Sequence, residues 1–223
     1  MNSQFKNSRR KFLGTLALGA TTGLTAMATT FKLSTFPSIP DNKSLDDWFK
    51  GIKGSHRVVF DGAEPNHALP IIWTWGFYTT NNQTGSLDSD ITAMCVFRHN
   101  AMPFGLEDRI WKKYKLGEMF KINDNRTNAP SIRNPYFDAK DGDFPFNGVD
   151  GIKRMHERGA LFCVCNLAIS VYSGIVAQSM GLDPEEVRKD WLSGVLPGVQ
   201  VVPAGIWALE RAQKQGCSYI FAG

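Results

Sequence analysis

The sequence predicts an α/β domain built on a doubly wound, mostly parallel, five-stranded sheet with helices on both faces. Two observations lead to this prediction. Short apolar segments alternate with helix-forming segments along the chain, which is the pattern of β-α-β connections. In addition, the segment Ala-Leu-Phe-Cys-Val-Cys at residues 160–165 has no polar alternation, as is typical of a parallel strand that is covered on both faces.

The individual elements follow from apolar runs and from the residues that interrupt them. Strands are predicted where short apolar runs are bounded by turn-forming residues, at 57–61, 90–97, 160–165, 199–202 and 218–221. Helices are predicted between them, at 66–80, 104–114, 149–158, 167–180, 183–192 and 204–215. The clearest helix start is Asp183-Pro184, where a capping carboxylate precedes a proline in the first helical position.

Residues 119–147 interrupt this alternation. Asn, Asp, Pro and Gly recur in the segment, and Asn134-Pro135 and Asp141-Gly142 are turn signals. We therefore predict a long insertion loop. A loop of this length inside a compact domain is usually functional or mobile.

The N-terminus carries an export signal. Ser8-Arg9-Arg10-Lys11-Phe12-Leu13-Gly14 matches the twin-arginine pattern, and Ala26-Met27-Ala28 is a cleavage motif after a mildly apolar stretch. The sequence thus predicts a signal peptide at 1–28, a linker at 29–55 with a short helix near 44–50, and the α/β domain at 56–223. The predicted location is the periplasm, with membrane contact only through the leader. A leader retained as an anchor is the alternative.

The charge of the chain is concentrated in this leader. The formal net charge is +4, and residues 1–28 contain four basic and no acidic residues, so the rest of the chain is balanced. A balanced surface gives no reason to expect nucleic acid as a partner.

The candidate site lies beyond the carboxyl edge of the sheet, where doubly wound folds bind their ligands. Cys165 ends the third predicted strand and precedes a helix, whose N-terminus favours the nucleophilic thiolate. Asn166 follows it and is a candidate to hold a developing anion. A buried structural cysteine explains Cys165 equally well.

Arg98 and His99 follow the second predicted strand and are the other candidates. In a doubly wound sheet their loop can neighbour the loop after the third strand. An imidazole in that position can deprotonate a thiol, and a guanidinium can hold an anion. A histidine exposed on a surface loop is the simpler alternative for His99.

No metal site is predicted. The four histidines have no metal-ligand spacing to one another or to cysteine, and the Cys163-x-Cys165 pair alone is a weak metal signal because zinc requires four ligands. The four cysteines are predicted to be mostly free thiols. The usual dinucleotide, nucleotide, serine-hydrolase and metalloprotease motifs are absent from the sequence, so no cofactor is identified.

Three segments resemble the DsrE/DsrF-like family. They are Phe162-Cys163-Val164-Cys165-Asn166, Pro197-Gly198-Val199-Gln200-Val201-Val202-Pro203-Ala204-Gly205, and Arg211-Ala212-Gln213-Lys214-Gln215-Gly216-Cys217-Ser218-Tyr219-Ile220. Phe97-Arg98-His99 together with Trp111-Lys112-Lys113-Tyr114-Lys115-Leu116-Gly117-Glu118 resembles the exported, twin-arginine branch of that family.

This resemblance implies a flavodoxin-like fold, assembly into trimers or hexamers, and a link to sulfur chemistry. In the sulfur-relay members a cysteine after a central strand carries a persulfide between partner proteins, and the matching residue here is Cys165. The family histidine matches His99, although Asn100 stands where the family frequently has glycine.

Three functions follow as hypotheses. The first is a periplasmic sulfur carrier that uses Cys165, with His99 as base, Arg98 as anion holder, and a sulfur donor or acceptor protein as partner. The second is a non-catalytic binding module that holds a small ligand in the same cleft under the 119–147 insertion. The aromatic residues of the first predicted helix either stack such a ligand or pack in the core. The third is a purely structural role.

Overall fold

The computed structural model describes residues 42–223, so the predicted signal peptide at 1–28 and residues 29–41 of the predicted linker lie outside the described residues. Five strands form one sheet in the order β4-β3-β2-β1-β5. They are β1 (His56–Gly62), β2 (Ile91–Phe97), β3 (Leu161–Cys165), β4 (Val199–Val202) and β5 (Ser218–Phe221). Every pairing is parallel, which confirms the predicted α/β class and makes the sheet fully rather than mostly parallel.

The helices lie between the strands, apart from α1, which precedes them. They are α1 (Asn42–Phe49), α2 (Leu69–Gln83), α3 (Asp108–Tyr114), α4 (Leu116–Met119), α5 (Ile152–Glu157), α6 (Asn166–Met180), α7 (Pro184–Ser193) and α8 (Gly205–Lys214). Within the described residues, no helix is both long and apolar enough to cross a membrane.

Three helices begin three or four residues later than the sequence predicts: those predicted from residues 66, 104 and 149 begin at Leu69, Asp108 and Ile152. The backbone explains the first two. The helix predicted from residue 66 begins at Leu69, because Asn66, His67 and Ala68 have positive φ angles and form a separate turn. The helix predicted from residue 104 begins at Asp108, because Leu106 forms an isolated antiparallel bridge with Val195 and is held extended.

The side chains of the strands alternate between two core clusters. On one face Phe60, Phe97 and Phe162 pack with α2, α3, α5 and α6. On the other face Val59 and Val96 pack with α8 and α1. Helices therefore cover both faces, as the apolar strands predict.

The short helix expected near residues 44–50 is α1. Its Leu45 and Phe49 are buried in the second cluster, and the Phe49 ring meets the Trp207 ring of α8 edge to face at 5.7 Å. This end of the predicted linker thus contributes to the core of the α/β unit.

The connections from β1 through β4 all run on the α2 and α6 face, and the connection from β4 to β5 runs through α8 on the opposite face. A right-handed crossover changes face when the chain changes direction across the sheet. Helices α6 and α8, which follow the neighbouring strands β3 and β4, therefore lie on opposite faces. The loops that lead to them stay in contact, since the Leu167 N–H donates to the Pro203 carbonyl at 3.2 Å. A change of face of this kind marks the position on the carboxyl edge at which open α/β sheets bind their ligands.

The 119–147 insertion packs onto the domain through buried polar groups. Arg133 bridges the carboxylates of Asp124 and Asp143, and the Asp143 side chain is 0% exposed. The amide of Asn134 donates to the carbonyls of Phe104 and Leu106 at 2.8 and 2.9 Å. Burial acts to raise the pKa of Asp143, but hydrogen bonds from Arg133 and the Lys140 backbone outweigh it and lower the pKa.

Replacing Arg133 with Ala leaves the Asp143 carboxylate buried without its main partner. We expect a loss of about 3 kcal/mol in the free energy of unfolding, measured by urea denaturation at neutral pH. Because the pKa of Asp143 is lowered in the folded state, this difference is fully present above pH about 4 and shrinks as the pH falls.

The matched control is Arg126→Ala. Arg126 lies 3.9 Å from the same carboxylate but is exposed. We expect this change to cost less than about 1 kcal/mol. Equal losses for the two variants would show that the buried bridge has no special role in holding the insertion.

Candidate functional site

Cys165 lies at the carboxyl edge of the sheet, in register with Val202 of β4. It ends β3 and caps α6, and its Sγ accepts a hydrogen bond from the backbone N–H of Ala168 at 3.3 Å. The residue is 5% exposed, so only a small reagent reaches the sulfur without rearrangement. The N–H groups and the positive end of the dipole of α6 face the sulfur, which is an arrangement suited to an anionic sulfur species.

The other cysteines are buried thiols. Burial raises the pKa of Cys95 and Cys163 well above the usual value, and it raises the pKa of Cys217 to about 11. All four cysteines are free, as predicted from their spacing. Cys163 lies in the α8 cluster, whereas Cys165 packs in the α6 cluster because its sulfur caps that helix.

Arg98 lies next to Cys165 across the sheet. Phe97 is in register with Val164, so the residues that follow them end neighbouring strands about 5 Å apart. Arg98 approaches the start of α8 so closely that a Cβ on Gly205 would lie 2.6 Å from the Cβ of Arg98. A glycine is required at this position for α8 to begin beside the arginine.

The guanidinium of Arg98 is paired with Asp61, which the sequence places at the same edge of the sheet but to which sequence reasoning gave no role. Nε and Nη2 of Arg98 donate to the two carboxylate oxygens of Asp61 at 2.6 and 2.9 Å. The hydroxyl of Tyr219 donates to Asp61 Oδ2 at 2.7 Å, and Asp61 is only 2% exposed. Hydrogen bonding to Asp61 raises the pKa of Arg98. The two N–H groups of Nη1 and the second N–H of Nη2 are left for an incoming anion. The feature of the sequence that could have identified Asp61 is that it is the single acidic residue in a largely apolar strand.

His99 is turned toward a different group of residues. Its Nδ1 lies 2.9 Å from Glu64 Oε1, and its side chain is 55% exposed. Asn100 also donates to Glu64, and the hydroxyl of Tyr172 donates to Asn100 Oδ1 at 2.7 Å. Among the described residues, no hydrogen bond joins His99 to Cys165. The structure therefore brings Arg98, but not His99, into the immediate surroundings of Cys165.

The His99 group borders an open depression of about 650 Å³ at the same edge. Glu64 and Asn100 line one side, and Phe120 and Lys121, at the start of the insertion, line the other. Positive φ angles occur at His99, at Lys121 and in the turn from Asn66 to Ala68. Left-handed backbone at residues other than glycine is unfavourable and tends to occur at functional sites.

Asn166 is held from the outer side of α6 by Arg188, which sequence reasoning also missed. Nη2 of Arg188 lies 3.5 Å from Asn166 Oδ1, and its Nε donates to Ser170 Oγ at 3.2 Å. The Arg188 side chain is 14% exposed, and its carboxylate neighbour, the exposed Glu185, is 4.0 Å away. Only the packing of α7 on α6 reveals this cation, because the local sequence of α7 reads as a solvent-facing helix.

The aromatic residues of α2 are engaged in packing. Tyr78 is buried and donates its hydroxyl to the carbonyl of Ile91 at 3.1 Å. Trp73 and Phe77 meet the ring of Phe60 edge to face. These contacts favour the core interpretation of the helix over ligand stacking. In the described part of the chain, no group of three or more His, Cys, Asp or Glu side chains is arranged to hold a metal ion.

The cap formed by Cys165 predicts how the site tolerates substitution. Cys165→Ser places a hydroxyl oxygen where Sγ accepts from Ala168, so the free energy of unfolding should change by less than about 0.5 kcal/mol. Cys165→Ala removes the acceptor and should cost about 1 kcal/mol. Urea denaturation of the two variants checks this ordering. A serine variant less stable than the alanine variant would contradict the capping role.

Comparisons with known proteins add one structural likeness. No family model matches the chain, and no curated protein matches it. Among solved structures, the chain is similar to MTH1491 of Methanobacterium thermoautotrophicum, a protein of unknown function, at 15% identity and a TM-score of 0.34. The alignment covers 75% of this chain and 99% of that chain. At these values the likeness says nothing about function, and membership of the DsrE/DsrF-like family stays a prediction.

Proposed function

We propose that this chain is a DsrE/DsrF-like protein, exported by the twin-arginine route, that carries sulfur as a persulfide on Cys165. The observation that supports this function best is the position of the Cys165 sulfur. It caps α6 at the carboxyl edge of the sheet, and Arg98 directly follows the neighbouring strand β2. A cysteine at the start of a helix and beside a cation is the setting in which thiolates react.

The proposed step is thiol–persulfide exchange. The Cys165 thiolate attacks the outer sulfur of a donor persulfide, R–S–SH, and the donor sulfur–sulfur bond breaks. The R–S⁻ group leaves with the electron pair and takes up a proton, while Cys165 retains the outer sulfur as Cys–S–SH. The exchange needs no external oxidant, since one sulfur–sulfur bond replaces another.

Each neighbouring residue has a role in this proposal. The Arg98 guanidinium holds the anionic donor, and the amide of Asn166 binds the charge that develops on the leaving donor sulfur. His99 accepts the thiol proton through solvent at the sheet edge, since it makes no direct contact with the sulfur. Its bond to Glu64 orients the ring.

Intact-mass analysis after incubation with polysulfide tests the proposal. Wild type should gain the mass of one sulfur atom, and Cys165→Ser should gain none. Cys217→Ser is the matched control and should load like wild type, because burial keeps that thiol protonated. A folded wild type that takes up no sulfur, or loading that persists in Cys165→Ser, would rule out sulfur carriage at this residue.

The second candidate function is a non-catalytic binding module. The depression between Glu64 and the start of the insertion supports it, because strained backbone surrounds that space and polar side chains converge on it. Native mass spectrometry of the purified protein distinguishes the two functions. A small molecule that is retained by Cys165→Ser but lost from Asn100→Ala would favour the binding module.

We also propose that the chain self-associates through β5. This edge strand exposes all four of its residues, Ser218-Tyr219-Ile220-Phe221, and none of them is charged or proline. Natural edge strands are usually protected by such residues against pairing with another strand. Two copies that pair their β5 strands antiparallel about a twofold axis oppose no like charges. Of the predicted trimer and hexamer, a twofold contact fits the hexamer.

Ile220→Lys should disrupt this association, because it places two lysines at the symmetric contact. Light scattering coupled to size-exclusion chromatography should show a smaller particle than wild type. Ile206→Lys is the control, since Ile206 is an exposed apolar residue on α8 rather than on β5. A monomeric wild type, or equal masses for wild type and Ile220→Lys, would contradict association through this strand.

A further inference from the structure

We infer that Asp61 is a positioning residue for Cys165, which acts by fixing the guanidinium of Arg98 and is itself held by Tyr219. Four neighbouring strands supply this row of polar groups in spatial order. Tyr219 lies on β5, Asp61 on β1, Arg98 directly after β2, and Cys165 at the end of β3. The inference rests on the proposed function in that it takes Cys165 as the reacting group.

The carboxylate of Asp61 is almost completely withdrawn from solvent. A buried carboxylate is strongly unfavourable unless hydrogen bonds and an opposite charge satisfy it. Both Asp61 oxygens accept from Arg98, and Oδ2 accepts in addition from the Tyr219 hydroxyl. Two parallel bonds from one guanidinium fix its plane as well as its position.

The rest of the Arg98 side chain is also confined. Its aliphatic carbons lie against Gly205 at the start of α8. This contact and the bonds to Asp61 together restrict the orientation of the guanidinium. With Nε and one N–H of Nη2 engaged, the two N–H groups of Nη1 and the second N–H of Nη2 can donate to an anion at Cys165. Asp61 thus holds an otherwise flexible guanidinium in one orientation, so that its remaining N–H groups donate in a fixed direction.

The two possible roles of Asp61 predict opposite effects on anion binding when Asp61 is removed. If Asp61 acted only as a negative charge, its removal would make the surroundings of Cys165 more positive and more attractive to anions. If Asp61 positions Arg98, its removal releases the guanidinium from the site, and the preference for anions falls. The sign of the change therefore separates the two roles.

Two alkylating reagents of similar size measure this preference. Iodoacetate is anionic and iodoacetamide is neutral, and both modify a cysteine thiolate with loss of iodide. The ratio of their rates at Cys165, followed on the peptide that contains it, reports how well the site receives an anion and is insensitive to overall thiol reactivity.

We expect Asp61→Asn to lower the iodoacetate-to-iodoacetamide ratio roughly threefold or more, although it removes a negative charge. Arg98→Gln should lower the ratio to a similar extent, and the double variant should match Arg98→Gln alone because Asp61 acts through Arg98. Tyr219→Phe leaves both charges in place and should give a smaller fall in the same direction. It also serves as the informative variant if Asp61→Asn does not fold.

Glu210→Gln is the control for net charge. Glu210 is exposed on α8 and pairs with Lys214, so the ratio should not change. A ratio that rises or stays constant in both Asp61→Asn and Tyr219→Phe would overturn the positioning role, as would a folded wild type whose Cys165 reacts with neither reagent. Polysulfide loading of the same proteins is a separate readout, since wild type that loads sulfur supports the proposed function whatever the ratios show.

Discussion

The reversal of chain direction after β4 is the constraint on which the candidate site depends. The strands from β1 to β4 are added in one direction, and their connections cover one face of the sheet. To reach the free side of β1, the chain crosses the other face through α8, because β-α-β crossovers are right-handed. Helices α6 and α8 therefore lie on opposite faces, while the Leu167 N–H and the Pro203 carbonyl still join the loops that lead to them. Cys165 and Gly205 lie at this position on the carboxyl edge.

At the same edge of the sheet, the Asp61–Arg98 ion pair is the feature that stability alone does not explain. A buried ion pair is often no more stabilising than apolar residues of the same volume. The strands around Asp61 are otherwise apolar, so a hydrophobic residue would be accommodated at this position. The pair fixes the direction of a guanidinium beside a cysteine that caps a helix. This geometry explains why the ion pair is present better than any contribution of the pair to the free energy of unfolding.

The polar edge of the sheet is divided into two groups with different chemistry. Cys165 ends β3 and Arg98 directly follows the neighbouring β2, whereas Glu64, His99 and Asn100 lie beside the start of the insertion. The insertion is not a free loop, because ion pairs of Arg133 with Asp124 and Asp143 fix its conformation. The first group supports sulfur chemistry, and the second supports the binding of a small polar ligand.

The sequence by itself determined the α/β class, the number and approximate bounds of the strands, and the location of Cys165, Asn166, Arg98 and His99 at the carboxyl edge of the sheet, because apolar periodicity and turn residues are local signals. Only the tertiary structure decided which of these residues meet. The strand order placed Arg98 beside Cys165, and left-handed backbone at His99 accompanied its turn toward Glu64. Asp61, Tyr219 and Arg188 joined the site through pairings between residues far apart in the chain. Such contacts leave no local pattern, since they depend on register and on helix packing.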